Sequence, residues 1–133
     1  MAMTGSVIPE THLDLLARPL IGHLATVRAD GAPQVSPMWF SWDGTYLRFT
    51  HTSRRQKYRN VQADPRVAFS IDDPERPPRH LEIRGQVERI DPDPTAEFFG
   101  ELADRYSMTF DGPPADAPFR VVLVVRPESV SYE

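Results

Sequence analysis

Basic side chains cluster near the middle of a chain that is acidic overall. Arg54, Arg55, Lys57 and Arg59 fall within six residues, and Lys57 is the only lysine of the 133 residues. No acidic residue interrupts this run, although the formal net charge of the chain is -4. Clustered cations without acidic neighbours are typical of a site that binds an anion such as a phosphate group.

Hydroxyl side chains come directly before these cations. Thr50, Thr52 and Ser53 close a predicted strand, and the pattern of residues 53–63 predicts a helix with Ser53 as its N-cap. A helix N-terminus offers free N–H groups and the positive end of a dipole, so cations there are unfavourable and anions favourable. We therefore interpret the segment as a phosphate site. The alternative is a solvent-exposed basic helix face.

A second segment could bind a planar ring. Pro37 lies inside the predicted strand 33–42 and cannot donate a ladder hydrogen bond, so this strand is bulged or lies at a sheet edge. Met38 and Trp39 follow, and large side chains beside free backbone groups suit the docking of a planar ring. The alternative is that Trp39 and Met38 fill the core or cover a dimer seam. A ring platform beside a phosphate site fits a flavin-like mononucleotide.

Composition and missing motifs exclude several kinds of site. The chain has no cysteine, which removes disulfides, thiolate metal sites and a cysteine nucleophile. His12, His23, His51 and His80 are scattered without a metal-binding spacing, so we expect no metal. Neither a P-loop nor a dinucleotide-binding glycine motif is present. The acidic net charge argues against nucleic acid.

The length and the chain start suggest a single cytoplasmic domain. A chain of this length fits one domain, residues 1–133. No apolar run is long enough to span a membrane, so no membrane partner is expected. Met1 to Ser6 lack a basic region followed by an apolar stretch, so we expect no signal peptide.

About six strands and three helices would position these residues. Alternating and apolar runs predict strands at 20–28, 33–42, 45–52, 66–72, 80–90 and 119–126, the last continued at 129–132. Helical spacing predicts helices at 9–17, 53–63 and 94–107. Asp-Gly pairs at 30–31 and 43–44 predict hairpins. Antiparallel hairpins with few helices favour a closed barrel whose interior is filled, so a ligand would bind on its wall or at a dimer seam.

Three runs, read together, resemble a known family. GHLATVRADGAPQVSPMWFSWDG, then R-x-K-x-R-N from Arg55 to Asn60, then ADPRVAFSID, are similar to the pyridoxamine 5'-phosphate oxidase-like family. The resemblance is strongest to its actinobacterial branch that uses coenzyme F420, and it extends from about Leu15 to the last strand. It implies a mainly β, six-stranded antiparallel split β-barrel with flanking helices. It also implies a homodimer with two cofactor sites along the seam.

The resemblance also implies which residues contact the cofactor. The strand from Gln34 to Trp39 would lie beside the ring, and the hydroxyls and helix cations would hold the phosphate. The expected cofactor-binding residues are Gln34, Ser36, Pro37, Met38, Trp39, Thr50, Thr52, Ser53, Arg54, Arg55, Lys57 and Asn60. The acidic tail of the deazaflavin would contact further cations, for which Arg54, Arg59 and Arg79 are expected.

The implied activity is that of an F420-dependent oxidoreductase. It would transfer a hydride from reduced deazaflavin to a small activated acceptor such as an enone, a quinone or a tetrapyrrole. No catalytic residue is assigned, because the cofactor carries the chemistry. We expect loops 73–79 and 108–118 to form the acceptor pocket. The alternatives are an FMN-dependent oxidoreductase on the same fold, a non-catalytic flavin- or deazaflavin-binding protein, and a barrel without a cofactor.

Overall fold

The computed structural model describes residues 7–133. Within this range one sheet contains β1 (Gly22–Val27), β2 (Pro33–Met38), β3 (Ser41–Trp42), β4 (Leu47–Thr52), β5 (Arg66–Asp72), β6 (His80–Pro92) and β7 (Arg120–Tyr132). The helices are α1 (Leu13–Ala17), α2 (Gln56–Ala63) and α3 (Glu97–Arg105), with 3-10 turns at Glu10–His12 and Ala117–Phe119. The mainly β fold with flanking helices is therefore confirmed.

The two edges of the sheet are joined by a very short connection. The strand order is β2-β1-β5-β6-β7-β4-β3, and all neighbours pair antiparallel. The edge strands β2 and β3 are consecutive in the chain and are separated only by Trp39 and Phe40. Because two residues span only a few ångströms, the twisted sheet must curl until its edges come close together. The result is a curled antiparallel half-barrel.

Side chains fill the inside of this curled sheet. Leu47 and Phe49 alternate along β4 and are fully buried. The Phe69 ring lies 4.9 Å from the Phe49 ring and 5.1 Å from the Phe40 ring, both in edge-to-face contacts. Such a close-packed interior leaves no room for a large ligand, so any cofactor must bind outside it.

The Asp-Gly turns lie where the sequence predicts them. Gly31 and Gly44 have φ angles of +87° and +98°, which glycine adopts without strain. The first turn joins β1 to β2, and Val27 pairs with Pro33 across it. The second turn joins β3 to β4. These turns fix the register of the two hairpins that carry the predicted ring and phosphate segments.

The run 33–42 forms two strands instead of one. β2 ends at Met38 because its partner is β1, whereas β3 pairs with β4 on the other edge. The sheet therefore has seven strands in the described residues, one more than predicted. Pro37 lies in β2, which pairs only with β1 and is an edge strand, as the missing N–H of proline predicts.

Ser53 is not the N-cap of α2, so that prediction is wrong. The Ser53 N–H donates to the Phe119 carbonyl at 2.9 Å and extends the pairing of β4 with β7. The chain then turns, and the Arg54 N–H donates to Thr52 Oγ1 at 3.2 Å. Arg55 is the N-cap residue, in extended conformation and without a side-chain cap.

The ends of the remaining elements shift by a few residues. Helix α3 spans Glu97–Arg105 instead of 94–107, and β7 runs without a break from Arg120 to Tyr132. The pairing of β7 with β6 contains register shifts next to Gly85 and next to Arg89. The shift at Gly85 lies opposite residue 127, where the apolar pattern of the sequence is interrupted.

No helix among residues 7–133 is long and apolar enough to cross a bilayer. The expectation drawn from Met1 to Ser6 concerns residues outside the described part of the chain.

Candidate functional site

Lys57 is the one buried member of the basic cluster. Its side chain is on the first turn of α2 and is 6% exposed, whereas Arg54, Arg55 and Arg59 are exposed. The Lys57 ammonium donates to Met38 Sδ at 3.4 Å, which joins α2 to the end of β2. Burial, and after it the charge of Arg55, lowers the pKa of Lys57.

None of these four cations forms an ion pair with a carboxylate in residues 7–133. Eight other arginines of the described chain do: Arg18, Arg48, Arg66, Arg79, Arg84, Arg89, Arg120 and Arg126. Arg28, Arg76 and Arg105 also lack an ion pair in the described residues, so four of the seven unpaired cations lie together at the turn between β4 and α2 and at the start of that helix. A buried ammonium without a counter-ion costs free energy, and a bound anion would remove that cost.

His51 is buried beside this uncompensated charge. It lies on β4, is 5% exposed, and its Nε2 has no hydrogen-bond partner. Burial, followed by the charges of Lys57, Arg55 and Arg120, lowers the pKa of His51 to about 3. The imidazole is therefore neutral at physiological pH, with one ring nitrogen free to bond a ligand.

A hydrogen-bonded network holds α2 against the sheet. The buried Asn60 amide donates to Thr26 Oγ1 at 3.0 Å and to Gln34 Oε1 at 3.1 Å. Gln56 Nε2 donates to Asn60 Oδ1 at 2.7 Å, and Arg28 donates to Gln34 Oε1 at 3.1 Å. Gln34 and Asn60, both predicted to contact the cofactor, therefore contact each other and fix the position of Lys57.

The two strand faces of β2 differ in exposure. Gln34, Ser36 and Met38 are half-buried on one face, while Val35 and Pro37 are exposed on the other. Ser36 Oγ is buried and has no hydrogen-bond partner. The Ser36 hydroxyl thus resembles His51 Nε2, because each is a buried polar atom that this chain leaves unsatisfied.

The predicted hydroxyl ligands lie on a different face of β4. Because side chains alternate along a strand, Thr50 and Thr52 point away from the face that carries His51. Thr50 Oγ1 accepts a hydrogen bond from Arg120 at 3.3 Å, and Thr52 Oγ1 accepts from the Arg54 N–H. Both hydroxyls therefore have partners within the chain, and the Arg54 guanidinium lies 3.5 Å from the Phe119 ring centroid.

Trp39 stacks on residues of its own chain. Its ring is 5.1 Å from the Tyr106 ring at an interplanar angle of 10°, and 6.2 Å from the Phe99 ring. The Tyr106 hydroxyl donates to the Leu20 carbonyl at 2.6 Å and accepts from the Phe40 N–H at 3.2 Å. Trp39 is half-buried, so one part of its surface remains open.

Sequence reasoning missed Arg120, Arg28 and Thr26. Arg120 stands opposite Thr52 in the pairing of β4 with β7, and Thr26 and Arg28 lie at the end of β1 next to α2. Only the strand order places these residues near the cluster. A prediction that β1 lies beside α2 would have identified Thr26 as a partner of Asn60.

No group of histidine, aspartate and glutamate residues among the described residues could hold a metal ion. The site is therefore built from cations, an imidazole and hydroxyls, which suit an organic anion.

The fold and this chemistry define a class: a mainly β half-barrel with a basic turn after its fourth strand. The family model described as pyridoxamine 5'-phosphate oxidase matches residues 8–133. The chain therefore belongs to the pyridoxamine 5'-phosphate oxidase family.

Solved structures agree with this assignment. An F420 reductase from Mycobacterium smegmatis is 59% identical, with a TM-score of 0.91 over 93% of this chain and 98% of that one. General Stress Protein 26 from Bacillus anthracis is 21% identical, with a TM-score of 0.71 over 92% and 91% of the two chains. Rv2991 from Mycobacterium tuberculosis is 23% identical, with a TM-score of 0.73 over 99% and 88%. The last two share the fold. No curated protein sequence matches the chain significantly.

Proposed function

We propose that the chain is an F420-dependent oxidoreductase that reduces a small activated acceptor such as an enone, a quinone or a tetrapyrrole. The observation that carries this proposal is the buried ammonium of Lys57, which has no carboxylate partner in the described chain. The likeness to a 59% identical F420 reductase supports it. Buried uncompensated charge favours an anionic ligand, and the cofactor carries a phosphate.

The residues present fit such a cofactor. Lys57 and Arg55 would hold its phosphate, with Arg54 and Ser53 beside them on the turn before α2. Along β2, the backbone of Ser36, Pro37 and Met38 would lie beside the ring. The unsatisfied Ser36 Oγ and His51 Nε2 provide two further buried partners for polar atoms of the ligand. In this assignment Thr50 and Thr52 do not contact the cofactor directly. Thr50 holds the Arg120 side chain, and Thr52 holds the backbone N–H of Arg54.

The exposed arginines favour the deazaflavin over FMN. Arg54 and Arg59 are exposed and have no carboxylate partner among residues 7–133, so they are free to meet an acidic tail. Arg79 is not free to contact the tail, because it forms ion pairs with Asp14 at 2.6 Å and with Asp73 at 2.9 Å. We therefore withdraw Arg79 from the expected tail contacts. An FMN-dependent oxidoreductase remains the second candidate, since the family model is that of a flavin enzyme.

Reduced deazaflavin, when bound, supplies a hydride to the acceptor. The chain itself orients the ring along β2 and fixes the phosphate end through Lys57 and Arg55. Because these cations are placed before the ligand arrives, they stabilise its negative charge without reorganisation. His51 is neutral and its Nε2 is free, so it accepts or donates a hydrogen bond without adding to the positive charge of these cations. The proton that accompanies the hydride comes from solvent in this scheme.

We also propose that two copies form a homodimer and that each completes the other's site. The open side of Trp39 and the exposed face of the edge strand β2 support this arrangement. Val35 on that face is 63% exposed and lies between the exposed Pro33 and Pro37, so the edge strand presents an apolar strip for a partner. A cytoplasmic location is part of the same proposal.

Parallel equilibrium titrations with F420 and with FMN test the cofactor assignment. Purified protein is titrated with each cofactor and the dissociation constants are compared by fluorescence. Tighter binding of F420 supports the proposal, and tight binding of FMN alone supports the second candidate. Failure to bind either one overturns both.

Turnover distinguishes an enzyme from a carrier. Protein supplied with reduced F420 and menadione, a neutral quinone, should oxidise the cofactor faster than the protein-free mixture. Tight binding without turnover of menadione or of an enone would instead support a non-catalytic cofactor-binding protein.

A further inference from the structure

Two buried polar atoms of the described chain lack hydrogen-bond partners near the Lys57 ammonium. The ammonium donates to Met38 Sδ at 3.4 Å, and Ser36, whose Oγ is unsatisfied, lies two residues earlier on the same face of β2. His51 on β4 has an unsatisfied Nε2, and the charge of Lys57 acts on its imidazole. Three elements, β2, β4 and α2, thus contribute to one buried polar site.

The sheet is not closed beside this site. β2 pairs only with β1, and β3 pairs with β4 only through Ser41 and Trp42, so residues 49–52 of β4 have a neighbouring strand on one side alone. The short connection of residues 39–40 brings these two edges of the curled sheet together. Within residues 7–133, no strand therefore separates the site from a ligand that approaches between the two edges.

The charges that act on His51 are all positive. Burial is the largest cause that lowers the pKa of His51 to about 3, followed by the charges of Lys57 on α2, Arg55 on the turn before it and Arg120 at the start of β7. Arg120 is paired with Asp116 at 3.1 Å, and no carboxylate of the described chain acts on the imidazole itself. A proton on His51 would therefore add to three nearby positive charges.

A bound anion would reverse part of this effect. A doubly charged group held by Lys57 and Arg55 offsets the repulsion from those cations, and its oxygens accept hydrogen bonds. A protonated imidazole donates from both ring nitrogens, so Nε2 then has a partner in the anion. The anion does not relieve burial, so we expect His51 to stay neutral at pH 7 and to gain its proton at lower pH.

We propose that His51 is a ligand of this anion and that the anion binds together with one proton, so that the affinity for a phosphate-type dianion rises as the pH falls below 7. The proton moves from water to the imidazole, and the Ser36 hydroxyl is a neutral donor to the same anion. This proposal rests on the proposed function, because the site is the one assigned to the cofactor phosphate.

Sulfate is a suitable probe, because it stays doubly charged between pH 7 and pH 5 and adds no titration of its own. It is titrated by calorimetry into cofactor-free protein at constant ionic strength. We expect the dissociation constant to fall by about threefold or more from pH 7 to pH 5, since each unit by which the anion raises a pKa is linked to a tenfold change in affinity. Heats measured in two buffers of different ionisation enthalpy should show net proton uptake at pH 5.

Three variants connect the effect to named residues. His51→Asn keeps a neutral polar side chain and should lose the greater part of the pH dependence. His23→Asn removes an exposed histidine and should retain it, which accounts for the general rise in positive charge at low pH. Lys57→Met should weaken sulfate binding at every pH. Imidazole NMR of the parent with and without sulfate follows the protonation of His51 without any substitution.

Equal pH dependence in the parent and His51→Asn overturns the proposal, and so does a His51 resonance whose titration sulfate leaves unchanged. Sulfate binding that survives Lys57→Met also overturns it, because the anion then binds elsewhere. Absence of sulfate binding at any pH has the same consequence. F420 titration of the parent at pH 7 decides the proposed function separately, since at that pH the cofactor binds to neutral His51.

Discussion

The ammonium of Lys57 combines two properties that oppose each other in a protein without a ligand. It is buried, and it has no carboxylate partner in the described residues. Groups of this kind reduce stability and persist where a ligand needs them. His51 behaves in a complementary way, because burial and three nearby cations keep it neutral. At the scale of single residues, the site is therefore a positive charge prepared for an anion.

Replacing Lys57 should therefore change stability and affinity in opposite directions. Lys57→Met keeps the length of the side chain and removes the charge, so we expect unchanged or higher stability in urea unfolding. Affinity for F420 should fall by about 1.5–3 kcal/mol, the usual worth of a hydrogen bond to a charged group. Arg76→Met, in an exposed loop, is the control. F420 affinity equal to that of the parent would remove the phosphate assignment.

His51 should make stability depend on pH in a defined window. Its pKa falls from 6.5 to about 3 on folding. The unfolded state therefore takes up a proton as the pH drops below about 6.5, while the folded state does not. The contribution of neutral His51 is complete above that pH and is lost toward pH 3, by at most about 1.4 kcal/mol per pH unit.

Urea unfolding at several pH values measures this effect by difference. The stability of the parent relative to His51→Asn should decrease between pH 7 and pH 5. His23→Asn removes an exposed histidine and should not reproduce the trend. A parallel pH dependence in the parent and His51→Asn would contradict the assigned protonation state.

Helix α2 is positioned by polar contacts more than by apolar ones. Asn60 is buried and bonds to Thr26 on β1 and to Gln34 on β2, while Val61 is the apolar residue that joins the core. The turn of residues 53–55 that precedes α2 is tied to the residue before β7 through the bond from the Ser53 N–H to the Phe119 carbonyl. At the scale of elements, the helix carries the cations and the sheet holds the helix in place.

The contact between Asn60 and Thr26 should be measurable as a coupling energy. Asn60→Ala leaves the buried Thr26 hydroxyl without its donor and should destabilise the protein by about 1–3 kcal/mol. In Thr26→Val the Asn60 amide loses one of its two acceptors, and the double variant should lose less than the sum of the two. Additive losses in urea unfolding would show that α2 is held by other contacts. F420 affinity should fall with stability here, in contrast to Lys57→Met.

On the scale of the whole molecule, charge is separated between two regions. The chain is acidic overall, with a formal net charge of -4, yet four cations without a carboxylate partner in the described residues lie together at the turn between β4 and α2 and at the start of that helix. Glu97, Glu101 and Asp104 line a cavity between α3 and the segment that follows it, and no basic residue lines that cavity in the described part of the chain. Such a separation would favour the approach of an anionic ligand at the basic turn and disfavour it beside α3.

The proposed homodimer should be visible in solution. Sedimentation should give twice the 15.1 kDa mass of one chain. Val35→Lys places a charge on the exposed face of β2 and should shift the mass toward that of one chain. Tyr132→Lys changes another exposed apolar residue, 52% exposed and on the distant end of β7, as a comparison. A single-chain mass for the parent at all concentrations would exclude the dimer.

The sequence by itself determined the local features of this protein. Hydrophobic alternation, Asp-Gly turns and Pro37 established the antiparallel strands, two hairpins and an edge strand, because each depends on residues close together in the chain. The clustered cations predicted where an anion would bind. The similarity of three segments to a family covered nearly the whole chain, and the family assignment is confirmed.

Only the tertiary structure decided which residues meet. The run 33–42 divides because its halves pair with strands on opposite edges, and Ser53 does not cap α2 because its N–H bonds to the Phe119 carbonyl. The contact of Lys57 with Met38 and the proximity of Arg120 to His51 likewise arise from segments far apart in sequence. Burial and electrostatics depend on distance in space, which sequence spacing does not fix once the chain curls on itself.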